Sequence, residues 1–154
     1  MKTLVAIRKE MTVCDEASTT HIYQRIEQLL HEIAIDIKKH ASNFTTYPLG
    51  KHPVVAKTTL AITELRTARQ LPPECATTKK HIQELITKLT EFKAMIGTPF
   101  CNTPAKAYQL LEEHLYQETI RKIILKDVKI PQVKLAFTEL YKYLVEEQAK
   151  ITQG

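Results

Sequence analysis

The chain has 154 residues, of which 44% are hydrophobic and 25% charged, and its 22 basic and 17 acidic residues give a formal net charge of +5. These values exclude a disordered chain and predict a single domain with a substantial hydrophobic core. No run approaches the roughly 20 apolar residues that a membrane-spanning helix needs. Three glycines, no tryptophan and many Leu, Ile, Lys and Glu residues favour helices over a β fold.

The N-terminal segment, residues 1–13, is ambiguous. Its apolar run LVAI could form a strand, but no partner strand is evident elsewhere in the sequence. Leu4, Ile7 and Met11 lie at helical spacing, so we expect a short first helix.

Five longer helices are predicted from apolar spacing and from residues that start or stop helices. The first follows the segment 18–20, whose three hydroxyl side chains can each cap a helix. Pro53 and Pro104 suit first helical turns, and Gly97 suits a helix end in the left-handed conformation. The predicted fold is an all-α, single-domain bundle of five or six helices. The longer helices are expected at about 19–40, 53–70, 78–96, 104–127 and 131–150.

The helix predicted at 104–127 carries two apolar stripes instead of one. At the ordinary rotation of about 100° per residue, the second stripe is turned from the first by well over a right angle. Either the helix bends, or its halves bury against two neighbours; we favour two neighbours, one of which can be another molecule. The first stripe comprises Ala107, Tyr108, Leu111 and Leu115, and the second comprises Tyr116, Ile120, Ile123 and Ile124.

Apolar side chains beyond the needs of one core indicate a protein partner. Ile35 lies off the apolar face of its helix, and the loop 41–52 carries Phe44, Tyr47 and Leu49. Such a loop either folds back onto the body, which we favour, or contacts a partner. We therefore predict a non-enzymatic adaptor or regulator that binds a protein partner or a second copy of itself, without a cofactor. The predicted contact residues are Ile35, Phe44, Tyr47, Ile120 and Ile124.

Nucleic-acid binding is the alternative function. The stretch RKIILKDVKIPQVK (121–134) is the densest basic segment and contains a single acid, Asp127. Basic residues that alternate with apolar ones can contact phosphates, but they also occur at the edge of a core helix. The basic residues are Arg121, Lys122, Lys126, Lys129 and Lys134.

A second alternative is catalysis on RNA. Arg25 and His31 have the spacing of the Arg-x(4–6)-His motif of HEPN ribonucleases, which are also helical. The resemblance covers these two residues and implies that they cleave RNA together across a dimer interface. The residue after the arginine is the apolar Ile26, where that family tends to have a polar one.

Two acid–histidine pairs on the first long helix have a spacing that can occupy two positions on a metal ion. These pairs are Glu27 with His31 and Asp36 with His40. A di-metal bundle also needs Glu-x-x-His pairs and matching carboxylates on other helices, which this sequence lacks. We therefore expect these side chains to be solvated margins of the helix, with no metal bound.

The three cysteines, Cys14, Cys75 and Cys101, are far apart and outside any Cys-x-x-Cys pair. An odd number in this arrangement favours a reducing compartment or buried thiols over a disulfide framework. The N-terminal apolar run is also too short for the core of a signal peptide. We therefore expect a cytoplasmic protein.

The final residues, FTELYKYLVEEQAKITQG (137–154), place Glu139, Glu146 and Glu147 near a short polar C-terminus. With the Lys-, Ile- and Thr-rich composition, this segment resembles the loosely acidic C-terminal secretion signal of small type IV secretion effectors from Legionella-type bacteria. The resemblance covers these residues and the composition. It implies delivery into a host cell and action through a protein partner.

Overall fold

A computed structural model of the chain describes residues 3–11, 13–48 and 50–153, with side chains described as far as Ile151. The described residues form the predicted all-α bundle and contain no strand, apart from one isolated bridge between Ile96 and Cys101. The helices are α1 (Leu4–Glu10), α2 (Glu16–Lys39), α3 (Pro53–Arg66), α4 (Ala76–Met95), α5 (104–127) and α6 (Pro131–Gln153). Helix α5 has an α-helical start (Pro104–Leu110), a π-helical section (Leu111–Ile124) and an α-helical last turn (Leu125–Asp127).

Helix α2 begins three residues earlier than its hydroxyl residues predict. Asp15 is the cap, and its carboxylate accepts a hydrogen bond of 2.8 Å from the backbone N–H of Ser18. Thr19 and Thr20 lie inside the helix, where their hydroxyls donate to backbone carbonyls of the preceding turn. An aspartate and a hydroxyl residue are both good caps, so composition alone does not choose between them.

Helix α2 lies at the centre of the bundle and contacts α1, α3, α5 and α6. Its apolar face is buried over its whole length, while α3 and α4 pack against each other as an antiparallel pair beside it. One core therefore joins all six helices. The buried residues of α2 are Ile22, Tyr23, Ile26, Leu29, Leu30, Ile33, Ala34 and Ile37.

The winding of α5 explains its two apolar stripes. Hydrogen bonds from residue i to residue i+5 give a π-helix roughly 4.4 residues per turn, or about 80° per residue instead of about 100°. Gln117 accordingly donates to the carboxylate of Glu112, five residues earlier, at 3.0 Å. At this rotation the buried side chains of the π-helical section fall within roughly a third of the circumference. They are Leu111, Leu115, Tyr116, Thr119, Ile120 and Ile124.

The wider winding overturns the prediction that Ile120 and Ile124 are exposed contact residues. Ile120 is 1% exposed and Ile124 is 0% exposed, so both belong to the core of one chain. The helix needs neither the bend nor the intermolecular neighbour that the sequence pattern suggested. The α-helical periodicity of 3.6 residues does not apply to this section. Residue propensities do not predict where a π-helix forms, so nothing in the sequence indicates another period.

The loop after α2 folds back onto the body, which is the arrangement favoured from the sequence. Phe44 is 4% exposed and belongs to the core, so its predicted availability to a partner is wrong, and Tyr47 is half-buried. Leu49 lies outside the described residues. Ile35 is 48% exposed, as expected for a side chain off the apolar face of α2.

A disulfide joins Cys14 and Cys75, so the expectation of thiols without a disulfide is wrong for these two residues. The two residues are 61 positions apart in sequence, but the fold places the start of α2 beside the start of α4, with the two Cα atoms 5.5 Å apart. That distance is ordinary for a disulfide. Cys101 is a buried free thiol, and burial raises its pKa to about 11.

Removal of the disulfide should lower the stability of the fold. Replacing Cys14 and Cys75 together with serine should reduce the free energy of unfolding by up to about 4 kcal/mol, because the closed loop no longer restricts the unfolded chain. Urea denaturation followed by circular dichroism measures the change. A dithiol reductant should shift the midpoint of the wild type but not that of the double variant, and an unshifted wild type would contradict the prediction.

Buried and exposed isoleucines should respond differently to a charge. Ile120→Asp places a carboxylate in the core and should cost several kcal/mol, about 4 or more, enough to abolish cooperative folding. Ile35→Asp is the matched control on the exposed face of α2 and should change the stability by about 0.5 kcal/mol or less. Thermal unfolding of both variants tests this, and a fully folded Ile120→Asp protein would refute the burial.

Candidate functional site

A groove of about 310 Å³ lies between α3 and α4, at the end of the bundle where the two helices are joined. Its floor is aliphatic, and cationic side chains stand along its walls. The floor residues belong to the core, so the groove is a fixed feature of the α3–α4 packing. The lining residues are Leu65, Arg66, Ala68, Arg69, Ala76, Lys79, Lys80, Ile82, Gln83 and Ile86.

The two walls come from different elements. Arg66 ends α3, and Arg69 follows in a short 3₁₀ helix (Thr67–Gln70). Lys79 and Lys80 lie just after the first turn of α4 and face them. The connection containing Leu71-Pro72-Pro73 cannot continue the helix, so it reverses the chain and brings the two basic pairs to the same groove.

The lining of the groove carries positive charge only. We name its four cations, Arg66, Arg69, Lys79 and Lys80, the basic quartet; no acidic residue lines the groove beside them. None of the quartet forms an ion pair or a side-chain hydrogen bond with a described residue. Asp127 is a nearby acid, whose pKa is lowered chiefly by His81 and to a smaller extent by Lys80. The first turn of α4 also contains no acid, so the partial positive charge of the helix start adds to the field. The groove is therefore a cationic site with an apolar floor and no acid in its lining.

Some cations elsewhere in the bundle are paired with acids on neighbouring helices. Arg25 forms two hydrogen bonds with the carboxylate of Glu64, at 2.6 and 2.7 Å. Lys88 lies 2.6 Å from Glu118. These pairs tie neighbouring helices together, and they show in their pKa values: hydrogen bonding to the partner raises the pKa of Arg25 and lowers that of Glu118.

A buried polar chain lies on another face of α4. The hydroxyl of Tyr23 is 2.6 Å from Nδ1 of His81, whose Nε2 is 3.0 Å from the carboxylate of Asp127. Thr78 lies 3.3 Å from the same hydroxyl. With Nε2–H donating to the carboxylate, Nδ1 accepts a hydrogen bond from the hydroxyl of Tyr23, and each group of the chain has a partner.

The order of groups in this chain matches a nucleophilic triad, but its environment does not suit catalysis. Tyr23 is 3% exposed, and burial raises the pKa of its hydroxyl, which makes the nucleophilic phenolate scarcer. The hydrogen bond from His81 lowers the pKa of Asp127, so the carboxylate remains ionised. A nucleophile without access to a substrate has no reaction to perform. The chain instead joins α2, α4 and the end of α5.

Arg25 and His31, the proposed ribonuclease pair, face different helices. Arg25 is held by Glu64 of α3. His31 packs against the ring of Tyr143 in α6, with ring centroids 4.8 Å apart, and lies 3.4 Å from Glu27 of its own helix. Each side chain thus has a structural partner, and the fold does not bring the two together at one site.

The basic stretch 121–134 lies at the end of α5 and the start of α6. Its five basic residues are exposed, while Ile124 and Val128 between them are buried. Arg121 lies over the ring of Tyr141, at 5.5 Å from its centroid, and Lys129 donates to the backbone carbonyl of Lys126. These cations line the edge of core helices, and none of them lines the α3–α4 groove.

A cluster of aromatic rings closes the end of the bundle near the loop 40–52. His52 caps α3, because its Nδ1 accepts a 3.0 Å hydrogen bond from the backbone N–H of Val54. The rings of Phe44 and Tyr47 lie 4.3 and 5.1 Å from the His52 ring. Nε2 of His52 forms no hydrogen bond of good geometry with a described residue. The nearby backbone carbonyl of Phe44 favours the charged form of the ring and so acts to raise its pKa. Burial outweighs that effect and lowers the pKa of His52.

The cap makes the stability of α3 depend on pH. Because the folded protein favours neutral His52, its contribution is fully present above the ordinary histidine pKa of about 6.5 and is lost as the pH falls below that value. Urea midpoints measured from neutral pH to about pH 5 should therefore decrease. His52→Asn keeps a capping oxygen but does not titrate, so its profile should be flatter than that of the wild type. Equal slopes would contradict the assignment.

The described residues contain neither a candidate metal site nor a candidate membrane-spanning helix. No group of three or more His, Cys, Asp or Glu side chains there has the arrangement of a metal site, and this includes the pairs Glu27–His31 and Asp36–His40. No helix in that part of the chain combines the length and apolarity that crossing a membrane requires. The groove offers a volume of about 310 Å³ with four cations and no acid in its lining.

Sequence reasoning missed the groove because its charge is split. The segment RTARQLPPECATTKK (66–80) holds the basic quartet and a single acid, Glu74, but the Leu-Pro-Pro turn separates the pairs. The signal lay in two basic pairs on either side of a helix reversal. His81 was also missed, although it follows Thr78 by three residues and precedes Leu85 by four on the buried face of α4.

No protein-family model, curated protein or solved structure matches the chain.

Proposed function

We propose that this protein is a non-enzymatic binding module that holds an acidic segment of another protein in the α3–α4 groove. The observation that carries the proposal is the basic quartet, which stands around an aliphatic floor with no acid in the lining. Four like charges at one site repel one another, so a site of this kind is stabilised when an anionic partner neutralises it.

The lining favours a peptide over a nucleic acid. Nucleic-acid sites that bind single strands combine positive charge with aromatic side chains on which bases stack. The groove contains no aromatic residue, and its floor of Leu65, Ile82 and Ile86 suits aliphatic side chains. A segment with one or two Leu- or Ile-like residues flanked by Asp or Glu would match both the floor and the walls.

The size of the groove limits what it can take. A volume of about 310 Å³ is near the lower end of the range for ligand sites, roughly 300–1,000 Å³. A few side chains fill it, so the expected contact is a short anchor within a longer partner. Arg66 and Arg69 can each bind a carboxylate with two parallel hydrogen bonds, whereas Lys79 and Lys80 act as point charges.

The proposal keeps the protein partner predicted from the sequence and moves the contact surface. Phe44, Ile120 and Ile124 are core residues and make no surface. Ile35 and Tyr47 remain accessible or partly so, but neither lines the groove. The partner is therefore recognised chiefly by charge and by a small aliphatic anchor, and not by a broad apolar patch.

The place where the protein acts stays a proposal. A disulfide such as Cys14–Cys75 persists in an oxidising compartment, which argues against a permanently cytoplasmic protein. The resemblance of the C-terminus to an effector secretion signal remains a prediction. In its segment, Glu139 and Glu146 are exposed, whereas Glu147 is buried and lies 3.3 Å from both Lys38 and Lys150.

Neutralising the basic quartet should abolish binding while the fold persists. The quadruple variant Arg66→Gln, Arg69→Gln, Lys79→Gln, Lys80→Gln should bind a short fluorescent peptide rich in Glu and Leu at least about tenfold more weakly than the wild type, a loss of about 1.4 kcal/mol or more. Fluorescence anisotropy at low and moderate salt measures it. Circular dichroism checks that the helices remain.

The chain supplies a matched control with the same change of net charge. Lys122→Gln, Lys126→Gln, Lys129→Gln, Lys134→Gln removes four exposed cations outside the groove and should leave peptide binding close to that of the wild type. A peptide with Gln in place of Glu should bind weakly to every form. Equal loss in both quadruple variants would mean general charge attraction. Tight binding of a single-stranded oligonucleotide, lost in the control variant, would favour a nucleic-acid function instead.

A further inference from the structure

Helix α4 begins without the kind of cap that other helices have. Side chains of Thr3, Asp15, His52 and Thr103 each accept a hydrogen bond from a backbone N–H at the start of their helices. The residue in the same position of α4 is Cys75, which makes no such bond because its sulfur is joined to Cys14. A covalent bond therefore fixes this helix start where a side-chain hydrogen bond fixes the others.

The fixed point lies at the edge of the groove. Between α3 and α4 the chain forms two short 3₁₀ helices, Thr67–Gln70 and Pro73–Cys75. Within this connection the backbone bonds outside the helices run from Leu71 to Ala68 and from Cys75 to Pro72. Groove residues lie on both sides of the bridge in sequence, namely Ala68, Arg69, Ala76, Lys79 and Lys80.

The other end of the bridge also reaches the groove wall. Cys14 lies in the short connection between α1 and α2, and α1 packs against the 3₁₀ helix that carries Arg69. Cys14 is partly exposed, whereas Cys75 is 2% exposed. The bond thus ties the α1–α2 connection and the groove wall to the start of α4, and it can be approached from the Cys14 side.

We propose that the Cys14–Cys75 disulfide is a redox-controlled clamp on the groove, and that its reduction by a dithiol loosens the wall and weakens the hold on the acidic partner. This inference rests on the proposed function. With the bond intact, the two basic pairs are held at a fixed separation. Binding of the partner then loses no free energy to ordering the wall that carries them. With the bond cut, residues 67–77 lose the covalent anchor that stands in place of a cap.

The chemical step is a thiol–disulfide exchange with a dithiol as the electron donor. A thiolate of the dithiol attacks the sulfur of Cys14, and the bond to Cys75 breaks, leaving a mixed disulfide at Cys14 and a thiolate at Cys75 that takes up a proton. The second thiolate of the dithiol then attacks the first sulfur of the same dithiol molecule, which is bonded to Cys14 in the mixed disulfide. Cys14 leaves as a thiolate and takes up a proton. The protein gains two electrons and two protons, and the dithiol becomes a cyclic disulfide.

The remainder of α4 is held independently of the bridge. Thr78 and His81, in the first and second turns, belong to the polar chain with Tyr23 and Asp127. The apolar face of α4 from Ile82 to Phe92 is buried in the core. Loosening on reduction is therefore confined to the connection and the first turn, which supply Ala68, Arg69 and Ala76 to the groove, while Lys79 and Lys80 stay in place.

Hydrogen exchange and binding test the clamp together on the full chain. Amides of residues 67–77 should exchange at least about tenfold faster through local opening in the protein reduced with dithiothreitol than in the oxidised protein, while those of α2 and α6 lose only the protection that the lower free energy of global unfolding accounts for. The reduced protein should bind the Glu- and Leu-rich peptide at least about tenfold more weakly. The double variant Cys14→Ser, Cys75→Ser should behave like the reduced wild type, with or without reductant.

Controls separate the clamp from the binding function. Cys101→Ser keeps the bridge and should respond to reductant as the wild type does. Unchanged exchange in 67–77, or equal loss of protection throughout the chain, would overturn the clamp whatever the peptide does. Unchanged peptide affinity on reduction would overturn it as well. If the oxidised protein binds no peptide, the proposed function fails, and the exchange of 67–77 alone then supports or refutes a redox-controlled wall.

Discussion

The π-helical winding of residues 111–124 is the constraint on which the rest of the bundle depends. An ordinary α-helix would spread the buried side chains of this section over more than half of its circumference. The π-helical winding places them on one face, where they close the core against α4 and α6. Ile120 and Ile124 are therefore internal, and this helix exposes no second apolar surface. The basic quartet, none of whose members forms an ion pair with a described residue, lines the α3–α4 groove instead.

Local rules predicted the helical fold well, because its helices begin and end at residues with strong preferences. Pro53 and Pro104 occupy first turns, and Gly97, with a φ of 90°, ends α4 as expected. The same rules failed where the outcome depended on distant residues. The bond between Cys14 and Cys75 arises from tertiary packing, and neither spacing nor composition contains it. The two basic pairs are visible in the sequence, but the groove between them depends on how α3 and α4 pack.

The groove and the bridge are parts of one structural unit. The connection from Arg66 to Lys80 supplies the cations, the reversal and the buried cysteine. It lies between two well-anchored helices, since α3 is bound to α2 through Glu64 and Arg25 and α4 through Tyr23 and His81. A segment with few backbone hydrogen bonds, placed between two well-anchored helices, can change its conformation without disturbing the core.

Helix α5 also bears on how a chain of this shape can vary in length. Each π turn uses nearly one residue more than an α turn, so a shorter sequence wound as an ordinary helix would complete as many turns with fewer residues. Deletions here need not break the bundle if the hydrophobic spacing contracts to the 3.6-residue repeat at the same time. Relatives of this protein would then differ from it by gaps inside a helix, where alignments normally place none.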